Sequence, residues 1–126
     1  MIRYAYNRQV TPPAPFVHVS VRCPETGQAV TDLPSLIDTA ADRSVIPGRL
    51  VEELGLIPLD ELPVCGFGGD SRLVLTYLVE LTIRDLPPHL VEVLAHPEEP
   101  HVLLGRDIMN QHRIILDGPG LALEID

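Results

Sequence analysis

The sequence predicts one mostly β domain with one or two short helices, and three observations carry that reading. Thirteen prolines spread over 126 residues interrupt the chain too often for long helices. The apolar segments between them are short and rich in Val, Ile and Leu, which pack well on a pleated surface. Only the stretch after Pro47 and a brief one near Asp107 leave room for helix. A hydrophobic share of 45% suffices for a packed core, and the chain shows no repeat, linker or low-complexity segment, so residues 1–126 read as one domain.

The elements follow in order. Residues 16–21 alternate in part, Pro24-Glu25-Thr26-Gly27 supplies turn residues, and 29–37 forms a return strand in which Pro34 marks an edge or bend. That hairpin ends directly on Asp38. A helix is predicted from Pro47, a residue favoured at the first helical position, with Leu50, Val51 and Leu54 on one side and Gly55 as a left-handed stop. Residues 73–83 read as a long strand with Leu73, Leu75, Tyr77, Val79, Leu81 and Ile83 on one face. Shorter strands are expected over 90–95, 101–104, 113–116 and 121–125, with a short helix over 107–111.

Composition removes several function classes. Eighteen acidic against nine basic residues give a net charge of −9, which argues against nucleic acid. All nine basic residues are Arg, so Lys-based Schiff-base chemistry and a P-loop are excluded. No run approaches the roughly 20 apolar residues of a membrane-spanning helix, and residues 1–10 hold no apolar signal-peptide core. Cys23 and Cys65 stand alone, without the close pairs of a zinc site, and read as free thiols in a reducing cytoplasm. No HExxH or GxSxG motif is present. His96 and His101 flank a Pro/Glu-rich stretch and read as surface loop residues. No metal or cofactor is expected.

Three segments can carry chemistry. Leu36-Ile37-Asp38-Thr39-Ala40-Ala41-Asp42 runs an apolar strand into an Asp on a small-residue loop. A carboxylate there sits at the mouth of a core, with room beside it for a water and a substrate backbone; an Asp that merely begins a turn is the plain alternative. Cys65-Gly66-Phe67-Gly68-Gly69-Asp70 suits a hairpin tip able to open and close, or a purely structural turn. A phosphate loop fits poorly, because a strand follows rather than a helix with Lys and Ser or Thr. Val102-Leu103-Leu104-Gly105-Arg106-Asp107 brings an apolar strand to Gly-Arg-Asp, where Arg106 offers a planar fork to a carboxylate, or simply a solvated turn residue.

In this order the three segments resemble the retropepsin-like aspartic proteases, with a signature of an Asp-Thr/Ser-Gly-Ala loop, a glycine-rich flap, and an apolar strand ending in Gly-Arg-Asp/Asn. The likeness spans residues 16–126 and is similar to the bacterial and cellular members. It implies a small closed β-barrel-like acid-protease fold. It also implies a symmetric homodimer that hydrolyses peptide or protein substrates, with one Asp per subunit. Asp38 and Thr39 would be catalytic, Thr39 cross-bonding the two loops. Ala40, Asp42, Gly66, Phe67, Gly68 and Gly69 would meet the substrate, and Asp42 would pair with Arg106. Residues 121–125 would pair across the dimer. The third loop position is Ala40 where the family has Gly. A proteolytically inactive dimer of the same fold, serving as a peptide-binding or assembly module, and an unrelated β-rich binding domain are the rival readings.

Overall fold

The computed structural model describes residues 1–65 and 69–126. Gly66, Phe67 and Gly68 of the glycine-rich segment lie outside the described residues. Strands β2 (Phe16–Arg22) and β3 (Ala29–Ile37) form the expected hairpin, antiparallel, with Phe16 opposite Leu36 and Arg22 opposite Ala29. Its turn closes where the Cys23 N–H donates to the Gln28 carbonyl at 2.8 Å. Gly27 takes φ 76° there, which glycine adopts without steric cost. Pro34 has no N–H to give, and β3 gains its second neighbour only beyond it: β8 (Val102–Leu104) runs parallel to Ser35, Leu36 and Ile37.

Pro47 does not open the helix. It ends a short strand, β4 (Val45–Pro47), which pairs parallel with Leu94, Ala95 and His96 of β7 (His89–His96) and so holds the backbone extended. Helix α1 (Arg49–Leu54) follows, burying Leu50 and Leu54 and stopping on Gly55 at φ 64°, as its sequence position predicts. Strand β6 (Ser71–Ile83) pairs with β7 on one side and returns to β2 on the other, Val19 facing Ile83. The order β2-β3-β8-β4-β7-β6 thereby closes into a six-stranded barrel.

Strand β5 (Asp60–Cys65) lies outside the barrel, paired to the outer half of β6 from Asp60 opposite Thr76 to Cys65 opposite Ser71. This divides the face predicted for β6. Tyr77, Val79, Leu81 and Ile83 are buried, whereas Leu73 is 68% and Leu75 is 43% exposed, because that half leaves the core as a hairpin arm. Below the barrel, helix α2 (Arg106–Met109) leads into a separate sheet of β1 (Ile2–Ala5), β9 (Ile114–Asp117) and β10 (Ala122–Ile125). Its order is β1-β10-β9, and β1 was not predicted from the sequence. Cys23 and Cys65 are free, one buried and one exposed. Among the described residues no helix is long and apolar enough to cross a membrane.

One contact ties the two sheets and carries a pH signature. His89 Nε2 lies 2.7 Å from His112 Nε2, and His112 Nδ1 lies 2.7 Å from the Asp126 carbonyl oxygen. A carbonyl only accepts, so His112 carries its proton on Nδ1 and takes the His89 proton at Nε2. Burial, then the neighbouring His112, hold His89 below its ordinary value of 6.5. A depressed folded value favours the neutral ring. Its stabilisation is therefore full above 6.5 and is lost as the pH falls through the lower, folded value. Denaturant titrations should show unfolding free energy declining as the pH falls below 6.5 and levelling off beneath the lower, folded value, with a smaller decline in His89→Gln. Identical slopes for the two proteins would refute the assignment.

Candidate active site

Strand β8 is inserted between β3 and β4, two strands that are consecutive in the chain. The segment that joins them, residues 38–44, must therefore arch over the end of β8. Because β3 and β8 are parallel, with Ile37 opposite Leu104, the Asp38 loop and the Gly105-Arg106-Asp107 turn emerge side by side. Ligand sites commonly form at such carboxyl ends of parallel strands. Two motifs more than sixty positions apart in sequence become one site by this topology alone.

The loop is held closely. The Asp38 N–H donates to the Leu104 carbonyl at 3.0 Å, and the Arg106 N–H donates to the Ala41 carbonyl at 2.9 Å. Gly105 sits directly beneath the arch: a Cβ there would lie 2.7 Å from the Arg43 carbonyl carbon and 3.0 Å from the Ala41 oxygen. Its φ of −86° is ordinary, so glycine is required here by space rather than by backbone conformation.

Asp38 is half-buried, while Thr39 and Ala40 are exposed on the rim. The Asp38 Oδ1 accepts the Ala40 N–H at 3.1 Å, which aims the carboxylate across its own loop and leaves Oδ2 free of any protein donor among the described residues. One loop thus presents one oriented carboxylate with an open oxygen. That is half of the acid–base pair that a two-carboxylate hydrolysis needs.

The predicted pair of Asp42 with Arg106 does not form. Among the described residues the side-chain ion pairs are Arg3 with Glu124, Arg22 with Glu80 and Arg43 with Glu92. Asp42 is exposed on the loop surface, and the Arg106 guanidinium turns to the nearer backbone, where Nη1 donates to the Thr39 carbonyl at 2.8 Å. The carboxylate that braces the site is Asp107 instead. Its Oδ2 accepts the Ser44 N–H at 2.9 Å, and its Oδ1 accepts the Ser44 hydroxyl at 2.7 Å and the Ile108 N–H at 2.9 Å. The Ser44 hydroxyl oxygen in turn accepts the Gly105 N–H at 3.0 Å.

Sequence reasoning missed Ser44, which is fully buried, and also the second brace. There Arg43 reaches Glu92 Oε1 at 3.0 Å, and the buried Thr76 hydroxyl donates to Glu92 Oε2 at 2.8 Å. The only available signal was a polar Ser between apolar Val45-Ile46 and the loop. Gly69 is exposed with φ 81°, suited to a turn, while Gly66, Phe67 and Gly68 fall outside the described residues. A groove of about 660 Å³ lies between Leu73 and Leu75 of the arm, Arg49 and Val51 of α1, and Pro97 after β7. Loop 38–44 does not line it, so concavity in a single copy does not pick out Asp38.

Comparison with known proteins bears on the fold. The family model described as aspartyl protease matches residues 25–108. No curated protein matches the chain at a significant level. Among solved structures, a retropepsin-like aspartic protease from Rickettsia conorii superposes with a TM-score of 0.66 at 14% identity, covering 98% of this chain and 89% of that one. The EIAV protease, solved with the inhibitor HBY-793, gives 0.59 at 22% identity over 86% of this chain and 93% of its own. The retroviral protease-like domain of Ddi1 from Leishmania major gives 0.51 at 16% identity over 88% of each chain. These likenesses share the fold, and the family match runs from the β2–β3 turn through the Asp38 loop to α2; the chain belongs to the aspartyl protease family.

Proposed function

We propose that the protein is an aspartic endopeptidase that works as a symmetric homodimer, with Asp38 of each copy forming the reactive pair. The observation that carries this reading is the Asp38 carboxylate, oriented by the Ala40 N–H at the joined ends of β3 and β8 with one oxygen open. Two carboxylates in contact share one proton, so one draws a proton from water while the other protonates the substrate carbonyl. Attack by that water gives a tetrahedral diol. The diol collapses as the carboxylate pair passes a proton to the amide nitrogen and the C–N bond breaks, releasing the amine without metal or covalent enzyme intermediate. Thr39, exposed on the rim, would bond to the partner loop, and the exposed Ala40 and Asp42 would border the peptide. By the family resemblance Gly66, Phe67, Gly68 and Gly69 would also meet the substrate.

The resemblance implied that residues 121–125, which include strand β10, would pair across the dimer. Both edges of β10 are used within the chain, by β1 and by β9. Among the described residues β1 and β9 each keep one unpaired edge in the order β1-β10-β9; β9 also exposes Ile115 and Leu116, and we assign the seam to it. The test is digestion of an unfolded protein at mildly acid pH, with and without a statine-type inhibitor, alongside solution mass. Inhibitor-sensitive cleavage by a species of two chains is expected. A monomer that does not cleave overturns the reading, and a dimer that binds the inhibitor without cleaving establishes the alternative, an inactive peptide-binding module.

Ala40 favours a slow enzyme. It is absent from the non-glycine residues with positive φ, so its methyl causes no backbone strain within one chain. Any cost falls between copies, where two methyls crowd the axis. Misplacement of reacting groups by about 1 Å costs roughly a hundredfold. Ala40→Gly should therefore raise kcat/KM on a common peptide by about tenfold or more, at unchanged dimer affinity. Equal or slower turnover would show that the methyl is tolerated.

A further inference from the structure

We infer that Arg106 is a positioning residue for Asp38 and acts through a single peptide group. The Arg106 guanidinium donates to the Thr39 carbonyl at 2.8 Å, and the N–H of the next residue, Ala40, donates to Asp38 Oδ1 at 3.1 Å. That carbonyl and that N–H belong to one planar amide. A cation hydrogen-bonded at the oxygen draws electron density along the conjugated C–N bond and makes the N–H a stronger donor, as hydrogen bonds in series polarise one another. The chain of contacts therefore runs from a fixed positive charge, through the peptide, to the carboxylate that the proposed function makes reactive.

Two further features support a role beyond stapling the loop. Arg106 joins no ion pair among the described residues, so its charge is not spent on another carboxylate. The loop is also fastened independently, by the Arg106 backbone N–H on the Ala41 carbonyl and by Asp107 on Ser44. The guanidinium is one of several fasteners, and it is set on the carbonyl whose amide N–H meets the Asp38 carboxylate. Arg106 itself is exposed, so burial does not explain its placement.

The inference rests on Asp38 being the reactive group, and its test has an arm that does not depend on hydrolysis. Arg106→Met, Arg106→Gln and Arg106→Lys would be compared with the parent by amide NMR, hydrogen exchange and peptide kinetics. In Arg106→Met the Ala40 amide proton should shift upfield and exchange about tenfold faster, while the Gly105 and Ser44 amides keep their protection. Arg106→Lys should recover most of the shift because it keeps the charge, and Arg106→Gln should fall between. In the kinetic arm, kcat should drop about tenfold in Arg106→Met with KM unchanged, again recovered by Lys. An unmoved Ala40 amide overturns the inference, as does equal loss of protection at Gly105 and Ser44, which marks a structural staple. If the parent itself proves inactive, the proposed function fails while the Ala40 amide still decides this point.

Discussion

Asp38→Asn should lower peptide hydrolysis on the order of 10⁴-fold and leave the fold and the dimer in place. The size follows from what the substitution removes. General acid and general base transfer are each worth about 10²–10⁴-fold, and one Asp38 in each copy serves both through a shared proton. Asparagine is nearly isosteric, and its Oδ1 can still accept the Ala40 N–H that orients Asp38 at 3.1 Å. The Leu104 carbonyl still receives the residue 38 N–H, a backbone contact that any side chain preserves. Measuring kcat/KM together with the thermal midpoint and solution mass separates chemistry from folding. A variant that is folded, dimeric and fully active would sink the mechanism.

What was legible in the sequence is what is local. The alternation of residues 16–21, the turn at Gly27 and the return strand to Ile37 lie within one hairpin, and the structure places them there. Gly55 stops α1 in the left-handed conformation because helix arrest depends on a single residue. The three motif segments could be found because each is a strand running into small or glycine residues. Their union depends on β8 being inserted between β3 and β4, a pairing across more than sixty residues that no window of sequence displays.

The errors have the same origin. Pairing Asp42 with Arg106 was carried over from the resemblance and supposed a partly buried Asp42, but the arch of residues 38–44 puts the Thr39 carbonyl at the guanidinium and leaves Asp42 in solvent. Leu73 and Leu75 continue the apolar rhythm of β6, and periodicity cannot tell that β5 and β6 have by then left the barrel. Residues 121–125 were expected to pair across the dimer from the resemblance alone, and their pairing with β1 within the chain has no local signal. Ser44 was passed over because a serine's burial is set by its neighbours, not by its own polarity.

Asp107→Ala should destabilise the protein by about 3 kcal/mol, the largest effect on stability expected from a single residue near the site. Removing the carboxylate strips the acceptors from the Ser44 N–H at 2.9 Å, the Ser44 hydroxyl at 2.7 Å and the Ile108 N–H at 2.9 Å. Ser44 has no exposed surface, so water cannot replace those acceptors without entering the joint between β4 and β8. A buried donor left without a partner costs roughly 1–3 kcal/mol, and hydrogen bonds to charged groups stand at the upper end. Asp107→Asn should lose less than Ala. Its oxygen can keep the hydroxyl and Ile108, but its NH₂ then faces the Ser44 N–H, donor against donor. Ser44→Ala removes the hydroxyl and its bond from Gly105 but keeps the backbone N–H on Asp107, and should cost about 1–2 kcal/mol. The double variant should be less destabilised than the sum of its parts, because the two residues share one bond. Chemical denaturation of the four proteins closes that cycle. Strict additivity, or an Asp107→Ala protein within about 0.5 kcal/mol of the parent, the range of ordinary surface substitutions, would mean that the loop is held by the Arg43, Glu92 and Thr76 brace rather than by Asp107.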